Sequence, residues 1–358
     1  MKTLDPTYQI LYSELAQRAL DAQFSSDFPV DGRFVRMESG GRRYWYFDRA
    51  KDGGGKARRY VGPVDDDAIN RRVENFKDIK ADIRARRKIV STLIREAYLP
   101  RPEALTGGVI EALAAAGFFR LRGVLIGTAA FQAYGALLGV RLPNAILQTG
   151  DADFAQFHSI STAVEDSMPP VLDVLRQVDA TFREIPNLAD QRYTTQYATR
   201  SGYRVEFLTP NTGSENYDGR PASMPALGGA AAQPLRFLDF LLHRPVRAVI
   251  LHGAGVPVLL PAPERFAVHK LIVSTRRRAE GDETAKSRKD RQQAATLMTA
   301  LFALRQGEAV ADAYMEAWDR GPAWRAALRE NLRALDTDLR EHLRAGVHAL
   351  GGDPAQYE

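Results

Sequence analysis

The chain has 358 residues, 45% of them apolar, with a formal net charge of +5 and no cysteine. That length supports a sizeable core divided among two or three units, and the absence of thiols excludes disulfides and thiolate metal sites. The start Met1-Lys2-Thr3-Leu4-Asp5-Pro6 has no apolar signal core and no run of about 20 uncharged apolar residues follows, so a soluble cytoplasmic protein with no membrane partner is expected.

Residues 7 to 24 carry Tyr8, Leu11, Leu15 and Leu20 at helical spacing. Phe34 to Met37, Arg42 to Phe47 and Arg58 to Val61 are strand-like runs rich in arginine and aromatics, the last two joined by a glycine-rich turn at 52–55. They predict a small antiparallel ribbon. Arg42, Arg43, Arg58 and Arg59 suit phosphates while Tyr44 and Trp45 suit unpaired bases, which makes the ribbon a candidate nucleic-acid surface. Tyr44 and Tyr46 alternate with Trp45 and Phe47, so a second reading packs one of these pairs against the protein beneath. One long helix is predicted from Asp67 to Tyr98, apolar through Ile69, Val73, Phe76, Ile83, Val90 and Ile94. Its basic stretch, Arg84, Arg86, Arg87 and Lys88, has the pattern of an ordinary solvated face.

The apolar segment Leu121 to Ile126 reads as a strand that breaks at Gly127 into a helix, with Thr128 as its N-cap. Amides at such a turn, reinforced by the helix dipole, make a resting place for a phosphate, and Gly127 lets it approach closely. Asp151 and Asp153 are two apart, so on a strand they point to one side while Ala152 and Phe154 enter the core. Glu206 repeats the pattern between Val205 and Phe207. Three carboxylates brought together repel by roughly 4 kcal/mol per pair at about 4 Å and an effective dielectric near 20, unless a cation lies between them. A hard divalent ion, Mg2+ above all, suits such a set.

Further along, Pro169 to Val178 is expected as a helix, and Ala180 to Ile185 and Tyr193 to Ala198 as sheet strands. The stretch Thr209 to Gln233, rich in Gly, Pro, Asn and Ser, is expected as a mobile lid or an extended insertion. Val246 to His252 and Val256 to Leu260 predict a hairpin across Gly253-Ala254-Gly255. Helices are expected over Pro263–Arg278, Lys286–Leu304, Glu308–Trp318 and Ala323–Leu350, the first carrying Lys270 with Phe266 and Ser274 on its face. The histidines show neither His-x-x-x-His spacing nor a partner Gly-x-Ser-x-Gly, which argues against a zinc or serine hydrolase.

An apolar strand, Gly127-Thr128, a helix, Asp151-Ala152-Asp153 and a later Glu206 together resemble the DNA polymerase β-like nucleotidyltransferase superfamily. Arg204 to Pro210 resembles its third-carboxylate strand, and Phe266 to Leu271 with Arg288-Lys289-Asp290 resembles its C-terminal lysine and aspartate motifs. Similar motifs occur in minimal nucleotidyltransferases and abortive-infection toxins, and bacterial proteins of this kind carry an aromatic, basic N-terminal extension. One departure is the separation of Thr128 from Asp151, longer than in the most compact members. The resemblance implies transfer of a nucleoside monophosphate from an NTP to an acceptor, RNA being favoured, with release of pyrophosphate. It implies two Mg2+ ions on Asp151, Asp153 and Glu206, NTP contacts at Gly127, Thr128 and Lys270, and catalytic support from Lys270 and Asp290. The alternatives are a non-catalytic nucleic-acid-binding protein that keeps the fold, or an enzyme nucleotidylating a protein or small molecule. The expected fold is α/β of the α+β kind: an N-terminal ribbon and helix module at 1–100, a mixed-sheet core at 101–262 and a helical region at 263–358.

Overall fold

The computed structural model describes residues 2–28, 32–39, 41–50, 56–74, 82–143, 150–164, 166–211, 220–276 and 285–358. The short strand β1 (Lys2–Thr3) leads into α1 (Pro6–Asp27), where the Asp5 carboxylate accepts from the Thr7 amide at 2.8 Å and Pro6 opens the first turn. Next, β2 (Arg33–Ser39), β3 (Arg42–Ala50) and β4 (Lys56–Pro63) pair as the expected antiparallel ribbon. The glycine-rich turn lies outside the described residues. The long helix expected from Asp67 to Tyr98 is instead two, α2 (Asp67–Glu74) and α3 (Ile83–Arg95). Asp82 stands just before α3 with its carboxylate taken by Arg18 of α1 at 3.1 Å, a contact that local periodicity does not encode.

The chain continues through α4 (Ala104–Ala115), β5 (Val124–Ile126), α5 (Gly127–Leu138), β6 (Val140–Arg141) and β7 (Asp151–Ala155). Two short helices, α6 (His158–Ala163) and α7 (Val171–Arg176), precede β8 (Arg183–Pro186), β9 (Thr194–Ala198) and β10 (Arg204–Pro210). Then come β11 (Ala222–Ser223), β12 (Ala231–Leu235), α8 (Leu238–Leu241) and the expected hairpin of β13 (Val246–Ile250) and β14 (Val256–Leu260). The rest is helical: α9 (Pro263–Arg276), α10 (Ala285–Ala303), α11 (Gly307–Asp319), α12 (Pro322–Leu332) and α13 (Thr337–Ala349).

The seven strands β5 and β7 to β12 form one mixed sheet, in which β10 runs parallel to both β7 and β12 and antiparallel to β9. Two expectations change here. The stretch Thr209 to Gln233 is not all loop, because Ala231 and Ala232 are buried and β12 pairs with β10 from Leu208↔Gln233 onward. The small side chains of that strand carry no apolar period. The final helix expected from Ala323 to Leu350 breaks between Leu332 and Thr337, and the break lets Leu328, Leu339, Leu343 and Val347 all enter one core.

That core is continuous from α4 through the sheet to α13, so the C-terminal helices are packed on the sheet itself. A second cluster joins α1 and α3 to Val249 and Leu251, and Tyr12 Oη ties them by accepting from the Val249 amide at 2.9 Å. The ribbon has its own cluster of Phe28, Trp45, Phe47, Val61 and Ile69. Among the described residues no helix is long and apolar enough to cross a membrane.

Candidate active site

The acids come together through strand register. Asp153 is paired with Glu206 and Asp151 with Arg204 across the parallel β7–β10 ladder, and Ile126 at the end of β5 is paired with Asp153 on the other side. Neighbouring strands lie about 4.8 Å apart and side chains alternate, so Asp151, Asp153 and Glu206 share a face. Their neighbours Ala152, Phe154, Val205 and Phe207 are fully buried on the opposite face, where Phe154 stacks on Phe207 at 5.8 Å. The period-two reading of both segments therefore holds. The three acids do not close into a ready-made ligand cluster among the described residues.

Gly127 follows Ile126 directly and adopts φ +68°, a left-handed conformation in which any Cβ is strained. A Cβ there would also lie 2.5 Å from Asp153 Oδ2. Only glycine allows the turn and the carboxylate to meet. Thr128 is not the N-cap: Ile126 holds that position, extended and without a side-chain cap, and Thr128 lies in the first turn of α5. Its Oγ1 accepts from Gln293 Nε2 at 3.5 Å, which ties the turn to α10.

Glu206 Oε1 accepts from Gln196 Nε2 of β9 at 2.9 Å. Burial pushes the Glu206 carboxyl above its ordinary range and Asp151 adds to the rise, while Gln196, Lys286 and Arg204 oppose it. A carboxyl whose pKa is higher folded than unfolded binds its proton more tightly in the native state. Its contribution therefore favours folding at acid pH and is lost as pH rises from the ordinary carboxylate range through the folded pKa. Glu206→Gln should accordingly raise Tm in chelator at pH 7 by more than at pH 4, with the Gln196 contact kept. An equal Tm difference at the two pH values would show that Glu206 carries no such burden.

On the facing helices, Lys270 Nζ donates to Asp290 Oδ1 at 2.5 Å with both residues buried, and the ammonium also lies 5.3 Å from the Phe266 ring centroid. The lysine and aspartate read from the sequence are thus a buried pair, with the lysine charge met by its partner. Other cations reach the acids. Lys289 has its pKa lowered by burial and next by Lys270, while Asp151 and Asp290 pull it up. Lys286 acts on the charge of Glu206. Sequence reasoning misses Lys286, Lys289, Gln196 and Gln293. Spacing of three and four along α10 is the available signal, since Lys286, Lys289, Asp290 and Gln293 share a helical face.

The ribbon residues separate into two groups. Arg42 and Arg43 are exposed, and Tyr44 and Arg59 half-buried. Trp45 instead lies in the ribbon's own core, 9% exposed, donating from Nε1 to Asn70 Oδ1 at 2.7 Å with the Arg36 guanidinium 4.7 Å from its ring. Arg58 donates to both oxygens of the buried Asp48, at 2.8 and 3.1 Å. Trp45 and Phe47 are thus the inward pair of the alternation, and Trp45 is no open platform for a base.

Residues 104–319 match a family model described as Nucleotidyltransferase. No curated protein and no solved structure matches the chain. The matched stretch runs from α4 to the end of α11 and contains the acids, the Gly127 turn and the Lys270–Asp290 pair, while the ribbon lies outside it. Since it takes in more than half of the chain, the protein belongs to this nucleotidyltransferase family.

Proposed function

We propose that the protein transfers a nucleoside monophosphate from an NTP to an RNA hydroxyl in a Mg2+-dependent reaction. The observation that carries this reading is the register that sets Asp151, Asp153 and Glu206 on one face beside the uncapped start of α5. A phosphate at that start and three acids beside it repel unless cations intervene. The donor set fits the ion: Mg2+ takes one or two carboxylates and fills the rest of its octahedron with water and phosphate, so a closed protein cage is not required. Asp151 and Asp153 would hold two such ions with Glu206 completing the second. When bound they supply Lewis-acid polarisation of the α-phosphate and lower the pKa of the attacking hydroxyl.

The protein's own groups do the remainder. The amides at the start of α5 hold the triphosphate, and Gly127 keeps that approach open. Glu206, with its raised pKa, accepts the proton of the hydroxyl as oxygen bonds to the α-phosphorus. The bond from that phosphorus to the bridging oxygen breaks, and its electron pair leaves with pyrophosphate. Lys289 and Lys286 neutralise the charge that develops there, and the Lys270–Asp290 pair holds α9 and α10 so that Lys289 faces Asp151.

RNA is favoured as acceptor because Arg42 and Arg43 are exposed on a ribbon outside the family unit and the net charge is positive. The test supplies each α-labelled NTP in turn with Mg2+ and total cellular RNA, and the expected product is labelled RNA. Changing Arg42, Arg43 and Arg59 together to Ala should weaken RNA binding and make its salt dependence shallower by about 0.7 for each phosphate no longer neutralised, with the KM for NTP unchanged. Trp45→Ala should instead cost about 3–5 kcal/mol of stability as a core deletion. Label appearing in protein or a small metabolite, with none in RNA, would replace the acceptor. An unaltered salt slope would make the ribbon structural.

A further inference from the structure

A cavity of about 290 Å³ lies apart from the acids, where the ribbon, α2 and the β13–β14 hairpin meet. Its apolar wall includes Leu20, Phe28, Ile69, Phe119 and Val258. Arg72, Arg120, Arg122 and Arg247 also border it, with Asp66 as the one bordering acid among the described residues. Arg247 donates to Asp66 at 2.6 Å, Arg72 to Asp21 at 3.1 Å, and Arg120 to Asp166 and, at 2.6 Å, to the Tyr60 carbonyl. Each of those three has its acid. Arg122, an exposed residue of the lining, has none within ion-pair distance among the described residues, so the lining keeps one cation in excess.

Arg122 adopts φ +68° as the left-handed cap of the turn before it, where its amide donates to the Phe119 carbonyl at 3.1 Å and the Gly123 amide donates to the Phe118 carbonyl at 2.9 Å. That position suits glycine, and an arginine there costs roughly 1 kcal/mol or more. Tyr60 also borders the cavity, and burial pushes the pKa of its hydroxyl up to about 12. The volume is at the low end of small-molecule sites, which run from about 300 Å³ upward. Apolar wall, excess guanidinium and small volume together describe a compact amphiphile.

We propose that this cavity binds a compact organic anion, an apolar ring carrying one phosphate or one carboxylate, at a site separate from the transfer centre. The ring lies against Phe119, Ile69 and Val258. The anionic group meets Arg122 and Arg247.

Isothermal titration of the full-length protein with phenyl phosphate and with benzoate tests this, with inorganic phosphate and benzyl alcohol as controls. At least one ring anion should bind about tenfold more tightly than either control, and the stronger of the two identifies the anionic group. Arg122→Gly relieves the strain, so it should melt at or above the wild-type Tm while binding at least about tenfold more weakly. Arg247→Gln should weaken binding similarly, and Lys289→Gln should leave it unchanged. The proposal is overturned if neither ring anion outbinds inorganic phosphate, or if both arginine variants bind like wild type. It is overturned equally if Lys289→Gln abolishes binding, since the anion would then occupy the transfer centre.

Discussion

Asp151→Asn and Asp153→Asn are each expected to slow nucleotidyl transfer by roughly a hundredfold to a thousandfold or more, with the fold intact. The amide keeps the shape of the carboxylate but cannot offer a hard anionic oxygen to a divalent ion. Both positions are on a paired strand whose alternate residues are fully buried, so neither change disturbs the core. In chelator the variants should melt at or slightly above the wild-type temperature, because one of three neighbouring negative charges is gone. Transfer rates at saturating Mg2+ and melting curves in chelator are the measurements. Near wild-type transfer by either variant would remove these acids from the reaction centre. The effect should exceed that of any ribbon substitution, since it acts on the chemical step and not on acceptor capture.

Lys270→Met is expected to cost about 3–5 kcal/mol of stability, because the buried Asp290 carboxylate loses the ammonium 2.5 Å away. Asp290→Leu should be similarly damaging, leaving a buried ammonium without that carboxylate. The double variant Lys270→Met with Asp290→Leu should recover most of the loss, since replacing both charges removes both desolvation costs. Denaturant midpoints of the four proteins make the thermodynamic cycle. Single variants as stable as wild type would mean that the pair contributes nothing to the fold. The activity of the double variant separates two roles for Lys270. If the pair only positions α10, the refolded double variant keeps substantial transfer, and Lys289→Gln loses more activity with little change in stability. If Lys270 itself meets the triphosphate, the double variant is as slow as the single.

Amino-acid order alone determines those features that depend on backbone geometry over a few residues. Alternation with period two is a property of any strand, so Asp151, Asp153 and Glu206 are legible as outward acids on segments whose other face is apolar. Gly127 is legible as a break, and the ribbon and the β13–β14 hairpin as strand pairs, because turn chemistry is equally local. Tertiary structure decided whatever depends on a partner distant in sequence. Trp45 and Tyr44 are adjacent and both aromatic, and only the packing of α2, through Asn70 and Ile69, selects Trp45 as the buried one. Lys289 resembles any helix-surface lysine until the packing of α10 on α9 brings it within reach of the Asp151 charge. The same holds for β12, whose small residues carry no period but find hydrogen-bond partners on β10. Lys270 can be singled out in the sequence but not as a buried residue, because its exposure depends on how α9 and α10 pack. Periodicity tells which side chains share a face; long-range packing, which no local pattern encodes, settles what that face meets.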